Sequence, residues 1–463
     1  MKGFLKVSVI STLLLNSVSS CVYQDSGDIL VNEPELLTKT KEKDNRYVGW
    51  LAGYENYDLE EIMQEEYIHD IDYKFSTEQS LQEVKGNPIY VHYMPWFQTK
   101  KIDGFWGQHW TMTNRNPERF NSDGEREIAS HYYPLIGPYA TKDKALQQYH
   151  LLLMKLSGVD GIIFDWYGIR DVLDFKRIRE GVDSFLLELE KTNIKFAIMY
   201  EDRVVKEQAR NLTQIQIEQA KNDLLYIKNK YFSKQQYIKV NGKKLLMIFG
   251  PNFINQKDDW TEILKFMKNE TNVLSLWKTK DIIGEENSSG EYAWIDKNHT
   301  ETLYGFYNYG INFNSNIIGG VTYPRFNDFY KEGGWRSLQE DEWKLDARGT
   351  KTFIESYQES INHPIDFMQI ATWNDFGEGT MIEPTKDFGF NHLEKLQEFT
   401  QVDYKKSDLR LPYHIYQLKK QFPKEYCVQF LTAKAYEHAM NGRLERAKFL
   451  IGLLMLKYTV PLA

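Results

Sequence analysis

The sequence predicts an α/β protein, specifically a (β/α)8 TIM barrel in which eight parallel strands alternate with helices. Its 463 residues exceed an average domain but fall within the range of single barrels of this kind. Hydrophobic residues make up 42% of the chain, which is enough apolar side chain for a large core. From residue 85 onward a short apolar run is repeatedly followed by a polar or aromatic cluster and then by a helical pattern. Eight such runs favour a closed barrel over an open sheet.

The eight predicted strands are Ile89–Met94, Gly161–Trp166, Phe196–Tyr200, Leu245–Phe249, Val273–Trp277, Tyr292–Ile295, Gly319–Tyr323 and Phe367–Trp373. Helices are predicted between them at Lys142–Ser157, Phe175–Lys191, Val205–Asn229, Asp258–Lys268 and Thr350–Asn362. No Gly-rich phosphate loop follows the first strand, which disfavours a dinucleotide-binding fold. After about residue 400 the pattern is wholly helical, over Pro412–Lys420, Lys424–Asn441 and Leu444–Leu456.

The first 20 residues have the pattern of a secretory signal. Lys2 and Lys6 precede an apolar stretch from Val7 to Leu15, which is shorter than the ~20 residues that span a bilayer. Val18-Ser-Ser-Cys21 resembles a bacterial lipobox, which implies cleavage before Cys21 and its lipidation. We therefore expect an exported, membrane-anchored bacterial lipoprotein at the outer membrane or cell surface. An unmodified exported protein is the alternative.

Residues 21–84 are predicted to form an acidic tether, because residues 22–84 contain 16 Asp or Glu and only 5 Lys or Arg. The predicted organisation is therefore a signal (1–20), this tether, a catalytic barrel (85–400) and a helical C-terminal extension (401–463). The net charge is −8 and no basic run is present, which argues against a nucleic-acid partner. Contact with a membrane is expected through the lipid anchor alone.

The carboxyl ends of the predicted strands carry aromatic and acidic residues. In barrels of this kind the active site lies at that end of the strands. Flat aromatic rings suit the apolar faces of sugar rings, and carboxylates suit sugar hydroxyls. The residues predicted to bind a sugar are Tyr93, Trp96, Trp106, Trp110, Asp165, Trp166, Tyr167, Glu201, Asp202, Tyr292, Trp294, Trp373, Asn374 and Glu383.

Asp375 and Glu378 are the best candidate catalytic pair, because they stand three residues apart just after the last strand. Cleavage of a glycosidic bond needs one carboxylic acid to protonate the leaving oxygen and a second carboxylate as its partner. A neighbouring charge and an apolar wall can keep the acid protonated near neutral pH. Taken alone, Asp375 is equally typical of a helix cap or turn residue. Glu201 and Asp202 are likewise typical of an ion-pair network at the barrel rim.

Other chemistries find less support in the sequence. The histidines lack the spacing of metal ligands, and no His-Glu-x-x-His motif is present, so we predict no metal site and no cofactor. No Gly-x-Ser-x-Gly motif supports a serine hydrolase. The expected partner is an oligosaccharide or polysaccharide.

Five segments together resemble the group formed by glycoside hydrolase families 99 and 71. They are Tyr90–Phe97, Trp106–Trp110, His131–Pro138, Asp160–Gly168 and Trp373–Thr380. The resemblance spans roughly residues 86–390 and implies a barrel that acts on an α-linked glycan. Family 99 contains endo-α-mannosidases and endo-α-mannanases, and family 71 contains endo-α-1,3-glucanases.

The resemblance also implies roles for individual residues. Glu378 matches the family 99 glutamate that protonates the leaving group and then activates water. Asp375 stands where family 99 has a glutamate that deprotonates the sugar's 2-hydroxyl, and an Asp-x-x-Glu pair at this place is instead similar to family 71. Trp166 and Glu201 match family 99 positions beside the sugar next to the scissile bond, and Tyr292 is a further contact. If Asp375 activates water the outcome is inversion, and if it reaches the 2-hydroxyl the outcome is retention.

The sequence therefore predicts a glycoside hydrolase that cleaves internal α-linkages of a mannan or mannose-rich glycan. Glu378 is the expected general acid/base and Asp375 the expected base. An endo-α-1,3-glucanase or another α-glycanase of the same fold is one alternative. A glycan-binding lipoprotein without catalytic activity is the other.

Overall fold

The computed structural model describes residues 62–64, 66, 86–203, 205, 213–312 and 316–458. The predicted signal segment, Cys21 and all but four residues of the predicted tether lie outside this part of the chain. In the part described, no helix combines the length and the apolar character needed to cross a bilayer.

Eight parallel strands close into a barrel, which confirms the predicted fold class. The strands are β1 (Ile89–Tyr93), β2 (Gly161–Trp166), β3 (Lys195–Tyr200), β4 (Lys243–Ile248), β5 (Thr271–Leu276), β6 (Gly290–Tyr292), β7 (Ile317–Thr322) and β8 (Phe367–Ile370). Each strand pairs with the next, and β8 pairs with β1 in a register that places Ile370 beside Val91. The two-residue strand Lys239–Val240 pairs antiparallel with β4. Every strand is buried or nearly so, as expected of parallel strands covered by helices.

Helices follow most strands and cover the outside of the barrel. Those of residues 84–409 are α1 (Lys100–Asp103), α2 (Gln108–Thr111), α3 (Lys144–Leu156), α4 (Phe175–Leu189), α5 (Thr213–Lys230), α6 (Lys257–Leu264), α7 (Lys280–Ile283), α8 (Thr300–Asn312), α9 (Tyr330–Gly333), α10 (Lys351–Ile361), α11 (Asn391–Thr400) and the 3-10 turn η1 (Lys406–Leu409). Helix α8 is absent from the sequence prediction. It contains Gly305 and Gly310, and glycine is among the weakest helix formers.

The chain divides into two compact units, one of residues 84–409 and one that contains the helices from Arg410 onward. These helices are α12 (Arg410–Gln421), α13 (Tyr426–Met440) and α14 (Leu444–Lys457). The second unit also contains residues 62–64 and 66, which are helical. Glu66 is 1% exposed, and its carboxylate contacts His438 of α13 and Arg446 of α14. Ile62, Met63 and Glu66 of the predicted tether are therefore buried in a helical unit, whereas Gln64 is exposed.

Candidate active site

The loop after β8 positions two carboxylates through its own backbone. The Asp375 N–H donates to the Thr372 hydroxyl at 2.9 Å, and the Asp375 carboxylate accepts the Glu378 N–H at 2.9 Å. The Thr380 N–H donates to the Asp375 carbonyl at 3.1 Å. Asp375 is thus the turn former that its residue type suggests, and its carboxylate is held by the backbone of its own loop.

Asn374 and Glu383 hold this loop against the end of β1. The Asn374 side chain bonds both the N–H and the carbonyl of Met94, at 2.7 and 3.0 Å. The Glu383 carboxylate accepts the Tyr139 hydroxyl at 2.8 Å and lies 2.6 Å from the His150 imidazole. Asn374 and Glu383 are 0% and 3% exposed. The polar atoms of both residues are therefore engaged beneath the loop, and their predicted contact with a sugar stays a prediction.

Two further carboxylates come from neighbouring strands. Asp165 lies on β2 and is 2% exposed, and Glu201 directly follows β3. The Tyr167 hydroxyl donates to Glu201 at 3.0 Å. Burial raises the pKa of Asp165 to about 8, and the charges of Asp375 and Glu378 contribute. This mutual influence indicates that the four carboxylates share one basin, which we call the acidic basin (Asp165, Glu201, Asp375 and Glu378).

The electrostatics of the basin divide the catalytic candidates into an acid and a base. Burial and then the charge of Asp375 raise the pKa of Glu378 well above its usual range. Burial also raises the pKa of Asp375, but only to about 6, because the backbone N–H groups of Glu378 and Gly377 and the nearby His109 oppose it. Burial and the neighbouring charge therefore favour the protonated form of Glu378, whereas the N–H groups of the loop favour the ionised form of Asp375. A general acid–base pair requires this combination.

Aromatic rings line two sides of the acidic basin. Trp96 stacks on His109 with ring centroids 4.1 Å apart, and Tyr167 stacks on Phe175 at 5.0 Å. Trp96 and Tyr167 are 6.5 Å apart and belong to the same wall. These residues combine flat surfaces with adjacent carboxylates, the pattern that sugar recognition requires.

The other wall comes from the end of β6. Burial and then the charges of Glu201 and Asp165 raise the pKa of Tyr292, which places this residue beside the basin. Its hydroxyl donates to the Ile248 carbonyl at 2.9 Å. Trp294 is half-buried and lies edge-on to His92 of β1 at 4.8 Å.

Several predicted sugar contacts lie instead in the packed core. Trp166 faces the helical layer, where it stacks on Tyr226 of α5, and Trp110 donates its indole N–H to the Tyr139 carbonyl at 2.8 Å. Tyr93 bonds His150 at 3.0 Å. Trp373 packs edge-on to His150 at 5.5 Å. All four residues have no exposed surface in the structure, and their predicted contact with a sugar stays a prediction.

Asp202 and Trp106 also have other roles in the structure. The Asp202 carboxylate is fully buried and accepts the backbone N–H groups of Asn252, Phe253 and Ile254 at 2.8 to 3.1 Å. It therefore anchors the loop after β4. Trp106 donates its indole N–H to Glu118 at 2.6 Å, and its ring lies 5.2 Å from the Arg126 guanidinium. The indole N–H of Trp106 thus contacts Glu118, and its ring contacts Arg126.

Sequence reasoning missed Tyr330, whose hydroxyl donates to Glu378 at 3.1 Å. Tyr330 begins α9, inside the long connection of residues 323–350 between β7 and α10. Most connections in compact α/β units are 2–6 residues, and much longer ones are usually functional. The length of this connection was therefore a usable signal in the sequence.

Several solved structures share this barrel architecture with the chain. The GH99 endo-α-mannosidase from Bacteroides thetaiotaomicron superposes with a TM-score of 0.53 at 16% identity, covering 70% of this chain and 98% of that one. The chain has the fold of the family 99 endo-α-mannosidase. Its complex with bis-tris-propane gives the same TM-score and identity over 68% and 96% of the two chains. The resemblance to the family 99 group is therefore confirmed in the fold.

A third solved structure and a family model also match this chain. A glycoside hydrolase-like protein superposes with a TM-score of 0.50 at 12% identity, over 70% of this chain and 97% of that one. The family model described as "Glycosyltransferase WbsX" matches residues 89–302, which is less than half of the chain. A search of curated proteins finds no match.

Proposed function

We propose that this protein is a glycoside hydrolase that cleaves internal α-linkages of a mannan or mannose-rich glycan. The observation that carries the proposal is the carboxyl pair on the β8 loop, Asp375 and Glu378, which lies in one ring-lined basin where burial and the charge of Asp375 favour the protonated form of Glu378. The shared fold with an endo-α-mannosidase favours the α-mannoside class.

The proposed reaction uses Glu378 as the proton donor and Asp375 as the base. Glu378 donates its proton to the leaving glycosidic oxygen as the bond to the anomeric carbon breaks. Asp375 removes a proton either from an attacking water or from the 2-hydroxyl of the sugar, whose oxygen then attacks the anomeric carbon. In the second case Glu378 afterwards deprotonates a water that attacks the anomeric carbon, the bond between this carbon and the 2-oxygen breaks, and Asp375 returns its proton to the 2-oxygen. The first route inverts the anomeric configuration and the second retains it.

The test is the release of reducing ends from a panel of α-mannans and α-1,3-glucans, with product anomers followed by NMR. Wild type is expected to cleave α-mannan, and Glu378→Gln to lose activity by about 10²-fold or more, the range of general acid catalysis. Glu301→Gln on the exposed surface of α8 is the matched control and should leave activity unchanged. Full activity in Glu378→Gln would refute the assignment. Preferred cleavage of α-1,3-glucan would favour the family 71 alternative, and binding without cleavage would favour the glycan-binding alternative.

A second candidate function is glycosyl transfer, which the family model's description favours. The same acid and base serve transfer if a sugar hydroxyl takes the place of water. Adding a mannose oligosaccharide as acceptor distinguishes the two: longer products support transfer, and unchanged product lengths support hydrolysis.

The proposed location is the surface of a bacterial membrane, through a lipid on Cys21. The lipobox resemblance supports this proposal, and Cys21 lies outside the described residues. Cys21→Ser should move the protein from the membrane fraction to the soluble fraction. A variant that still fractionates with membranes would contradict the lipobox interpretation.

A further inference from the structure

The connection between β7 and α10 presents a tryptophan at the edge of the acidic basin. Trp335 is 42% exposed, so a substantial part of its ring is accessible to a ligand. Its ring stacks on that of Tyr330 with centroids 6.1 Å apart and planes at 20°. On another side it meets His109 edge-on at 5.4 Å. One part of the ring is therefore held by the protein, and the remainder faces solvent.

The backbone around Trp335 is fixed rather than loose. The N–H groups of Trp335 and Arg336 both donate to the Tyr330 carbonyl, at 2.8 and 3.0 Å. The Arg336 guanidinium pairs with the buried Asp328 at 2.8 Å, and Asp328 also accepts the Tyr330 N–H at 3.1 Å. A rigidly held aromatic surface binds a ligand at a lower entropic cost than a mobile one.

Tyr330 connects this ring to the proposed acid. Its ring stacks on that of Trp335, and its hydroxyl donates to the Glu378 carboxyl at 3.1 Å. In glycoside cleavage the general acid contacts the oxygen that joins the scissile carbon to the leaving sugar. The leaving sugar must therefore lie on the side of the acid, where Trp335 is one aromatic ring away.

We propose that Trp335 is a stacking platform for the sugar on the leaving-group side of the scissile bond. The apolar C–H face of a pyranose packs on the indole, whose electron-rich face attracts these hydrogens. This inference rests on the proposed function, because the leaving-group side is defined by Glu378 acting as the acid. It extends that function by identifying a residue that recognises the glycan beyond the cleaved sugar.

The experiment compares wild type, Trp335→Ala, Trp335→Tyr and Tyr304→Ala. Two substrates share the sugar on the non-leaving side: a manno-oligosaccharide and an aryl α-glycoside, whose leaving group is not a sugar. Trp335→Ala is expected to raise KM for the oligosaccharide about tenfold, the effect of losing one stacked ring, with a clearly smaller effect on the aryl substrate. Trp335→Tyr should recover much of the loss. Tyr304 is 62% exposed on α8, so Tyr304→Ala controls for the removal of a surface ring and should match wild type.

Affinity measured in the Glu378→Gln background separates this inference from the proposed function. If oligosaccharide binding weakens about tenfold on adding Trp335→Ala, the platform is supported even if wild type hydrolyses nothing in the panel. Equal losses on the two substrates would place the ring on the other side of the bond and overturn the assignment. Unchanged KM and unchanged affinity, with melting temperatures equal to wild type, would also overturn it.

Discussion

The hydrogen bond from Tyr330 to Glu378 predicts the direction in which a single substitution moves the pH profile. The Tyr330 hydroxyl favours the ionised form of Glu378 and so opposes the rise in its pKa caused by burial and by Asp375. Tyr330→Phe removes only this hydroxyl. We therefore expect the pKa of Glu378 to rise further, so that the proposed acid keeps its proton to a higher pH.

The size of the pKa shift follows from the difference in strength of the Tyr330–Glu378 hydrogen bond between the ionised and the protonated form of Glu378. A hydrogen bond to a charged group contributes ~1.5–3 kcal/mol, and one between neutral groups ~0.5–1.5 kcal/mol. The difference is about 1 kcal/mol, and one pH unit corresponds to ~1.36 kcal/mol. The alkaline limb of kcat/KM should therefore move upward by roughly 0.7 unit. The Tyr330 hydroxyl itself adds no titration to the pH profile of kcat/KM, because burial and then the charge of Glu378 hold its own pKa well above 10.

The assay is kcat/KM against pH on an α-mannan oligosaccharide, fitted for both limbs. The phenylalanine ring retains the stack on Trp335 and the packing against Met112 and Phe329, so the melting temperature should change little. Tyr304→Phe on the exposed face of α8 is the matched control. An alkaline limb that stays in place or moves down would refute Glu378 as the acid whose proton limits the reaction.

Three other substitutions test the basin and the core. Asp375→Asn keeps an oxygen that accepts the Glu378 N–H, so we expect activity to fall by two orders of magnitude or more with little change in melting temperature; a large fall in melting temperature would favour a purely structural role. Asp165 has a pKa raised to about 8, so the folded protein holds an extra proton between about pH 4 and 8 and loses stability as pH rises through that window. Asp165→Asn should therefore raise the melting temperature at pH 8 more than at pH 4, and an equal change at both would contradict this. Trp110→Ala should lower the free energy of unfolding by ~3–5 kcal/mol in a denaturant titration, because its ring is fully buried. A Trp110→Ala variant as stable as wild type would contradict this core role and favour Trp110 as a sugar contact.

The positions of the strands could be predicted because each is a buried apolar run bounded by polar or helical sequence. The face of the strand on which each side chain lies could not be predicted. In a parallel barrel both faces of a strand are apolar, so the sequence lacks the alternation that distinguishes inside from outside. On β2 the acidic side chain reaches the basin, whereas the adjacent Trp166 packs on the helices. The sequence therefore did not indicate that these two neighbouring predicted sugar contacts lie on different faces of the strand.

The carboxylate pair could be predicted because Asp375 and Glu378 lie on one loop, where spacing alone brings them together. Contacts between distant segments carry no such local signal. Tyr330 meets Glu378 across 48 residues, and Asn374 meets Met94 across 280. The strand β6 also ends earlier than predicted, because the apolar residues Ala293–Ile295 line the barrel mouth after the ladder stops at Tyr292.

The acidic basin differs from two other buried carboxylates of the barrel, Asp202 and Asp328, in the groups that neighbour its charge. Asp202 is met by three backbone N–H groups and Asp328 by Arg336, as a structural carboxylate requires. Asp165 and Glu378 instead have other carboxylates as neighbours, and burial raises the pKa of both. A protein that only captured sugars would gain from ionised acceptors, which bind hydroxyls more strongly than neutral acids do. Carboxyl groups whose surroundings favour the protonated form are suited to proton donation, which supports the proposed catalysis over capture.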